Sequence, residues 1–393
     1  MIIRFEVYEL DTSHFELRRE GKLVPIEPQV FDLLLLLIQN SDRIVSKDEL
    51  LDKVWEGRIV SDATLNSRIS AARKAIGDNG SDQRLIRTSP RRGFSFVGKI
   101  LDDAFSAPIT HTSHALRQDI QFCTAPDGVR LGYATLGEGP SLVKAANWLT
   151  HLEYDWESPL WHSTLERLAA GRRFFRYDGR GSGLSDWDVD DISFETFVMD
   201  LETVVDAAGL EHFALLGISQ GCAISIAYAV RHPERVSSLI LYGGYALGRM
   251  VRGDQEEIER AHAFLTLIRQ GWGDENSALL PAFSATMIPD GSSEQIRALV
   301  DLQRHTATAE NAVRIRETCD KIDVVELLPQ INVPTLVLHV RHDSVAPLEQ
   351  GRLIASSIPK AHFVSFDGNN HLPLPGERAW ERMLAEIDLF LAG

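Results

Sequence analysis

The stretch Leu215-Leu216-Gly217-Ile218-Ser219-Gln220-Gly221-Cys222 decides how most of this chain is read. An apolar run, Phe213 to Leu216, leads into it, and a segment of helical character, Cys222 to Val230, comes after it. The serine therefore stands on a sharp strand-to-helix turn. Glycines two positions before and two after it leave no Cβ where the strand and helix backbones approach. The helix N-terminus at the serine favours a negative charge developing beside it. The bare Gly-x-Ser-x-Gly spacing is common by chance. Its weight comes from the strand before, the helix after and the partners found downstream.

The 393 residues leave room for two or three domains, and 44% apolar with 24% charged content is that of an ordinary globular protein. Cys123, Cys222 and Cys319 are odd in number and dispersed, which argues against a disulfide framework and for a reducing compartment. The opening Met-Ile-Ile-Arg-Phe-Glu lacks the pattern of a signal peptide, and the longest apolar run, Leu33 to Ile38, cannot span a bilayer. A cytoplasmic protein with no membrane partner is the expectation. The net charge of −16 is unevenly divided. Residues 1–100 carry 16 Lys and Arg against 15 Asp and Glu, and the remainder 24 against 41. Two domains with different partners are expected.

Within 1–100, Ile2 to Val24 alternates apolar and polar residues between turn signals, predicting short antiparallel strands. Pro28 opens a helix through Ile38. Ser46 with Glu49 forms a capping-box pattern for a second helix to Trp55, and a third runs from Ser61 or Asp62 to Ile76. A turn containing Gly57 separates the last two. A hairpin comes next, with Pro90-Arg91-Arg92-Gly93 at its tip. This order of small sheet, three helices and hairpin resembles the winged-helix DNA-binding domain of the OmpR/PhoB class. The stretch Asp62 to Ile76 is similar to that family's recognition helix, and Thr88 to Phe96 to its wing.

The resemblance implies double-stranded DNA as partner, with dimeric or tandem binding. Leu65, Ile69, Ala72 and Ile76 form an inward stripe, leaving small or basic residues for a major groove. Thr64, Asn66, Ser67, Arg68, Arg73 and Lys74 are the expected DNA-facing residues of the helix, and Arg91 and Arg92 those of the wing. No receiver-like segment precedes this domain, so its control is expected from the C-terminal part of the chain.

Residues 101–118 lack periodicity and read as a linker. His111 and His114 stand three apart without further ligands nearby, and no metal site is assigned to them. From 119 to 393, strands are predicted at 120–124, 129–136, 142–147, 174–177, 213–218, 238–243, 335–340 and 362–366. Helices are predicted at 158–170, 193–208, 221–231, 348–357 and 376–391. This alternation signals an α/β fold with a mostly parallel sheet covered on both faces. Eight strands with Gly-x-Ser-x-Gly after the fifth, and Arg176-Tyr-Asp-Gly-Arg-Gly-Ser-Gly-Leu-Ser185 after the fourth, resemble the α/β-hydrolase fold.

That resemblance implies a chain order of serine, acid and histidine. The acid is expected after the seventh strand and the histidine after the eighth, which selects Asp343 and His371 for Ser219. Asp320, Asp323 and Asp367 compete less well for the acid, as do His339 and His342 for the base. An oxyanion hole is expected from the backbone N–H groups of Gln220 and Trp148. The family often has His-Gly where this chain has Asn147-Trp148, a departure that backbone donors tolerate but that narrows the site. An insertion at 247–333, helical by pattern, resembles a cap that selects small, largely apolar ligands. No phosphate loop, zinc spacing or dinucleotide fingerprint occurs, so no cofactor is implied.

Together these features lead to a transcription regulator whose hydrolase-like domain binds, and hydrolyses slowly, a small ester-, lactone- or amide-like signal. The competing reading is an esterase or lactonase whose winged helix only localises or oligomerises it.

Overall fold

The computed structural model describes residues 2–11, 16–19, 21–41, 43–47, 49–50, 54, 62–89, 92–99, 117–253, 255–272, 277–372 and 374–392. The chain divides into two compact units, Met1–His114 and Ala115–Gly393.

In the first unit, β1 (Ile2–Phe5), β2 (Tyr8–Asp11), β3 (Glu16–Arg19) and β4 (Lys22–Val24) form an antiparallel sheet in sequential order. Helices α1 (Pro28–Gln39) and α2 (Asp62–Ala75) come next, then the antiparallel hairpin β5 (Ile86–Ser89) and β6 (Gly93–Phe96). Of the predicted middle helix, Lys47, Glu49, Leu50 and Val54 are helical, and the Ser46 hydroxyl accepts from the Glu49 N–H at 3.1 Å. The Gly57 turn lies outside the described residues. Leu65, Ile69, Ala72 and Ile76 are buried against Phe31, Leu34 and Phe96 in one apolar core, so the predicted inward stripe is the observed one.

Asp78, which the sequence did not single out, holds the turn between α2 and the hairpin. Its Oδ1 accepts from the Asn79 and Arg84 N–H groups, and its Oδ2 from Leu85 and Ile86, all at 2.9 Å. Burial alone would raise its carboxyl, but these amides outweigh that and hold it below the ordinary value.

The second unit is built on an eight-stranded sheet: β7 (Asp119–Thr124), β8 (Arg130–Leu136), β9 (Ser141–Lys144), β10 (Arg173–Tyr177), β11 (Phe213–Ile218), β12 (Val236–Tyr242), β13 (Thr335–Val340) and β14 (Ala361–Phe366). Their spatial order is β7-β8-β10-β9-β11-β12-β13-β14. The β7–β8 and β8–β10 pairs are antiparallel, and every later pair is parallel. β11 is buried at all six positions, as expected of a central strand covered on both faces.

Alternate side chains sort to two cores. Val143, Phe175, Leu215 and Leu241 lie on the side of α5 (Phe194–Ala207) and α6 (Gly221–Arg231). Leu142, Phe174, Leu216 and Ile240 face α4 (His162–Ala169) and the last helix, α13 (Arg378–Ala392). α12 (Leu348–Ser357) lies between β13 and β14 in the chain.

Two predicted elements differ. The helix expected at 158–170 starts only at His162 as α4, because Pro159 keeps Ser158 in extended backbone (φ −74°, ψ 131°), and a short helix not expected from the sequence, α3 (Leu152–Glu157), precedes it. The strand expected to reach residue 147 ends at Lys144, although the Ala145 N–H still donates to Leu216 O at 2.9 Å. Between β12 and β13, α7 (Arg249–Arg252), α8 (Gln255–Gly271), α9 (Leu279–Met287), α10 (Ser293–Thr306) and α11 (Ala309–Asp320) build the helical insertion.

Gly217, near the end of β11, makes the tightest backbone approach to the turn that comes next. A Cβ there would stand 2.6 Å from Cys222 Cα and 2.7 Å from Gly221 O. Gly217→Ala should cost about 2–3 kcal/mol. For a unit of this size that is a fall of roughly 5–10 °C in melting temperature by calorimetry. An unchanged melting temperature would contradict the close approach.

Candidate active site

Ser219 occupies left-handed backbone (φ 55°), unusual for a residue with a Cβ, and this lifts its side chain off the end of β11. Its N–H donates to Tyr242 O at 2.9 Å, pinning the turn to the neighbouring strand. The Cys222 thiol, a packed group, donates to Gly217 O and Tyr242 O.

The structure brings three sequence-predicted residues into one hydrogen-bonded series. Asp343 Oδ2 lies 2.7 Å from His371 Nδ1, and His371 Nε2 lies 2.8 Å from Ser219 Oγ. A carboxylate only accepts, so Nδ1 carries the proton toward Asp343, and Nε2 is left to accept from the serine hydroxyl. Asp343 Oδ1 accepts from the Val345 and Ala346 N–H groups at 2.8 and 2.9 Å. Burial would raise the Asp343 carboxyl. The neighbouring His371, by the charge it carries when protonated and by its hydrogen bond, then His339 and the Ala346 amide, hold it below the ordinary carboxylate value. His371 is itself fixed at both ends of its backbone: its N–H donates to Met287 O at 2.9 Å, and its carbonyl accepts from Tyr242 Oη at 3.1 Å.

The competing groups are engaged elsewhere. Asp320 pairs with Arg316, Asp323 caps the Val325 N–H, and Asp367 pairs with Arg341. His339 is buried with its Nε2 on Ala346 O at 2.8 Å, and 3.9 Å from Asp343 Oδ2.

Gln220 and Trp148 flank the serine, and among the described residues neither backbone N–H has an acceptor. The Trp148 indole N–H donates to Gln303 Oε1 on α10 at 2.9 Å, and Gln303 Nε2 donates to Ser284 Oγ on α9. Sequence reasoning missed Gln303 and Ser284: a contact across 155 positions leaves no local signal.

The space over Ser219 is closed. Met287, Leu299, Leu302 and Gln303 of the insertion roof it, and the cavity is about 10 Å³, the room of one water molecule. Trp161, Leu299 and Leu372 also border a second cavity of about 20 Å³, whose further walls include Ile218, Tyr242 and Met383. The two hydroxyls on its walls are already engaged, Thr164 Oγ1 by the Trp380 indole and Tyr242 Oη by His371 O. Among the described residues no group of three or more His, Cys, Asp or Glu is placed to hold a metal ion.

On α2, Ser67, Ser70 and Lys74 are exposed, Thr64 is half-buried, and Arg68 is ion-paired with Glu27. Arg73 corrects the expectation of a DNA-facing side chain. It is 6% exposed, and its guanidinium donates to Ile86 O (2.8 and 3.1 Å) and Thr88 Oγ1 (2.8 Å), tying the helix to the hairpin. Its spacing from Ile69 and Ile76 places it on the buried stripe, a signal the sequence already carried. Arg92 is exposed at the hairpin tip; Arg91 and the side chain of Asn66 lie outside the described residues.

Replacing the acid without changing its shape isolates its role. Asp343→Asn should slow labelling of Ser219 by a fluorophosphonate probe about 10⁴-fold while melting with a normal transition. Labelling at the native rate would contradict the relay.

Two family models match the chain: the alpha/beta hydrolase fold over residues 152–377, and the transcriptional regulatory protein C-terminal domain over 21–96. The non-heme chloroperoxidase CPO-A1 of Kitasatospora aureofaciens is 27% identical over 270 residues, 65% of this chain and 94% of that protein. The transcriptional activator CadC of Escherichia coli is 32% identical over 101 residues, a quarter of this chain and a fifth of CadC. An esterase from Exiguobacterium antarcticum superposes with a TM-score of 0.58 at 22% identity, covering 70% of this chain and 99% of its own. The chain belongs to the alpha/beta hydrolase fold family and carries, ahead of that domain, a DNA-binding domain of the transcriptional-regulator type.

Proposed function

We propose that the protein is a transcription regulator in which residues 119–393 bind a small ester-, lactone- or amide-like signal and residues 1–100 bind DNA, joined by 101–118. The observation that carries this reading is a complete Ser219–His371–Asp343 relay, closed under a cap, in a chain that also bears a DNA-binding domain.

The chemistry is set by the distances. His371 takes the Ser219 proton at Nε2 as Oγ attacks the ligand carbonyl, and the carboxylate of Asp343 stabilises the imidazolium. The oxyanion is received by the Gln220 and Trp148 N–H groups, for which no acceptor stands among the described residues. His371 returns the proton to the leaving group, and water, activated by the same imidazole, releases the acyl group from Ser219. A cavity of about 10 Å³ admits no such ligand unless the cap moves. Binding is therefore coupled to displacement of α9 and α10, which also releases Met287 O from His371 and Gln303 from Trp148. The DNA-binding domain, for which an enzyme alone has little use, is the reason for preferring a sensor to an enzyme with an appended module. The second cavity, about 20 Å³ and walled in part by Ile288 and Leu299 of the insertion, is also too small as it stands; with its hydroxyls engaged, it suits the hydrocarbon part of the ligand once the cap moves.

On DNA, α2 presents Thr64, Asn66, Ser67, Arg68 and Lys74 to the major groove, and Arg91 and Arg92 reach phosphates, in a homodimer or tandem array. Arg73 acts through the fold instead.

Two measurements test the halves separately. Ser219→Ala should lower kcat for p-nitrophenyl butyrate at least ~10³-fold, and equal rates in both proteins would remove the hydrolytic part. Arg92→Ala should weaken binding to every duplex and reduce the slope of log affinity against log salt by about 1. An unchanged slope would take Arg92 off the phosphates.

A further inference from the structure

Asn147 borders the Ser219 site, and Lys144 is bonded to it; neither has a part in the mechanism above. Lys144 ends β9 with only 3% of its surface exposed. Its ammonium donates to Asn147 Oδ1 and, at 3.5 Å, to Ala145 O, and stands 5.7 Å from the centre of the Trp161 ring. Burial lowers its pKa to about 8, with Asp155 and Asp178 opposing that fall and Arg176 adding to it, so the group is still mostly charged at neutral pH.

An ammonium has no acceptor to offer. It therefore fixes the sense of the Asn147 amide: Oδ1 faces Lys144, and the two Nδ2 hydrogens face away. Asn147 is 6% exposed, yet no acceptor among the described residues takes Nδ2. The residue borders the cavity that Ser219, His371 and Trp148 also line, and it directly precedes Trp148. A donor held in place by a second bond beside the point where an oxyanion forms stabilises that charge without first having to reorient.

Resting on the Ser219 reading above, we propose that Asn147 Nδ2 is a third donor to the oxyanion and that Lys144 is the positioning residue holding the amide in its donating orientation. Lys144 acts only through Asn147.

Four proteins test this: wild type, Asn147→Ala, Lys144→Met and the double variant. For each, kcat and KM for p-nitrophenyl butyrate, the fluorophosphonate labelling rate and the melting temperature are measured. Asn147→Ala should lower kcat and the labelling rate together by about 10²-fold with KM within about twofold. Lys144→Met should also lower kcat in the wild type, yet cost nothing further in the Asn147→Ala background. An Asn147→Ala protein within about twofold of wild type in both rates overturns the inference. A Lys144→Met cost that is the same in both backgrounds overturns the role of Lys144. If Lys144→Met does not fold, Lys144→Gln replaces it in the cycle. Wild type that resists labelling overturns this inference together with the Ser219 reading; labelled wild type with an unaffected Asn147→Ala overturns this inference alone.

Discussion

The left-handed backbone at Ser219 is the constraint on which the rest of the second unit depends. A non-glycine residue held at φ 55° is strained, and such strain persists only where surrounding structure over-determines it. Here the supports are visible: the Ser219 N–H on Tyr242 O, the Cys222 thiol on Gly217 O, and two glycines whose missing side chains let the backbones meet. Gly221 has the second of these roles, since a Cβ there would come within 3.0 Å of Ala146 O. The Ser219 turn and the loop carrying Asn147 and Trp148 are thus packed as one piece. The three strand ends that deliver Ser219, Asp343 and His371 lie close together in the sheet because β11, β12, β13 and β14 are neighbours in that order.

The cap completes the site by replacing solvent with protein hydrogen bonds. Met287 O takes the His371 N–H, Gln303 takes the Trp148 indole, Asn370 Oδ1 takes the Asp290 N–H, and Asn311 Nδ2 donates to Gly181 O and Trp187 O. The first three join the insertion to the loops that carry Trp148 and His371, and the last joins it to the loop after β10. Moving the cap would therefore release His371 and Trp148 together, which on the proposed function gives ligand entry a structural consequence larger than the ligand itself.

The parts of this arrangement legible in the sequence are those with local signals. Gly217, Ser219 and Gly221 announce a strained turn. Asp343 and His371 come just after short apolar strands, where sites in such sheets collect. The stripe Leu65, Ile69, Ala72 and Ile76 carries the period of a packed helix, and the same period places Arg73 inside once it is applied to that residue. Illegible were the bonds whose partners are far apart in sequence or depend on a turn's geometry. Gln303 meets Trp148 across the cap, and Asp78 collects four amides only because the chain doubles back after α2. Lys144 read as the middle of a strand, because burial of its charge depends on where β9 stops and α3 begins.

A sensor requires that its two sites exchange free energy, and that exchange is reciprocal. If occupation of Ser219 alters the DNA-binding state, a covalent occupant must do so as well. The direct measurement is the dissociation constant of one promoter fragment for protein before and after stoichiometric modification of Ser219 by a fluorophosphonate, with Ser219→Ala treated identically. Coupling between the sites predicts a change of about 5-fold or more in the wild type and none in Ser219→Ala. The same dissociation constant for modified and unmodified wild type would contradict it.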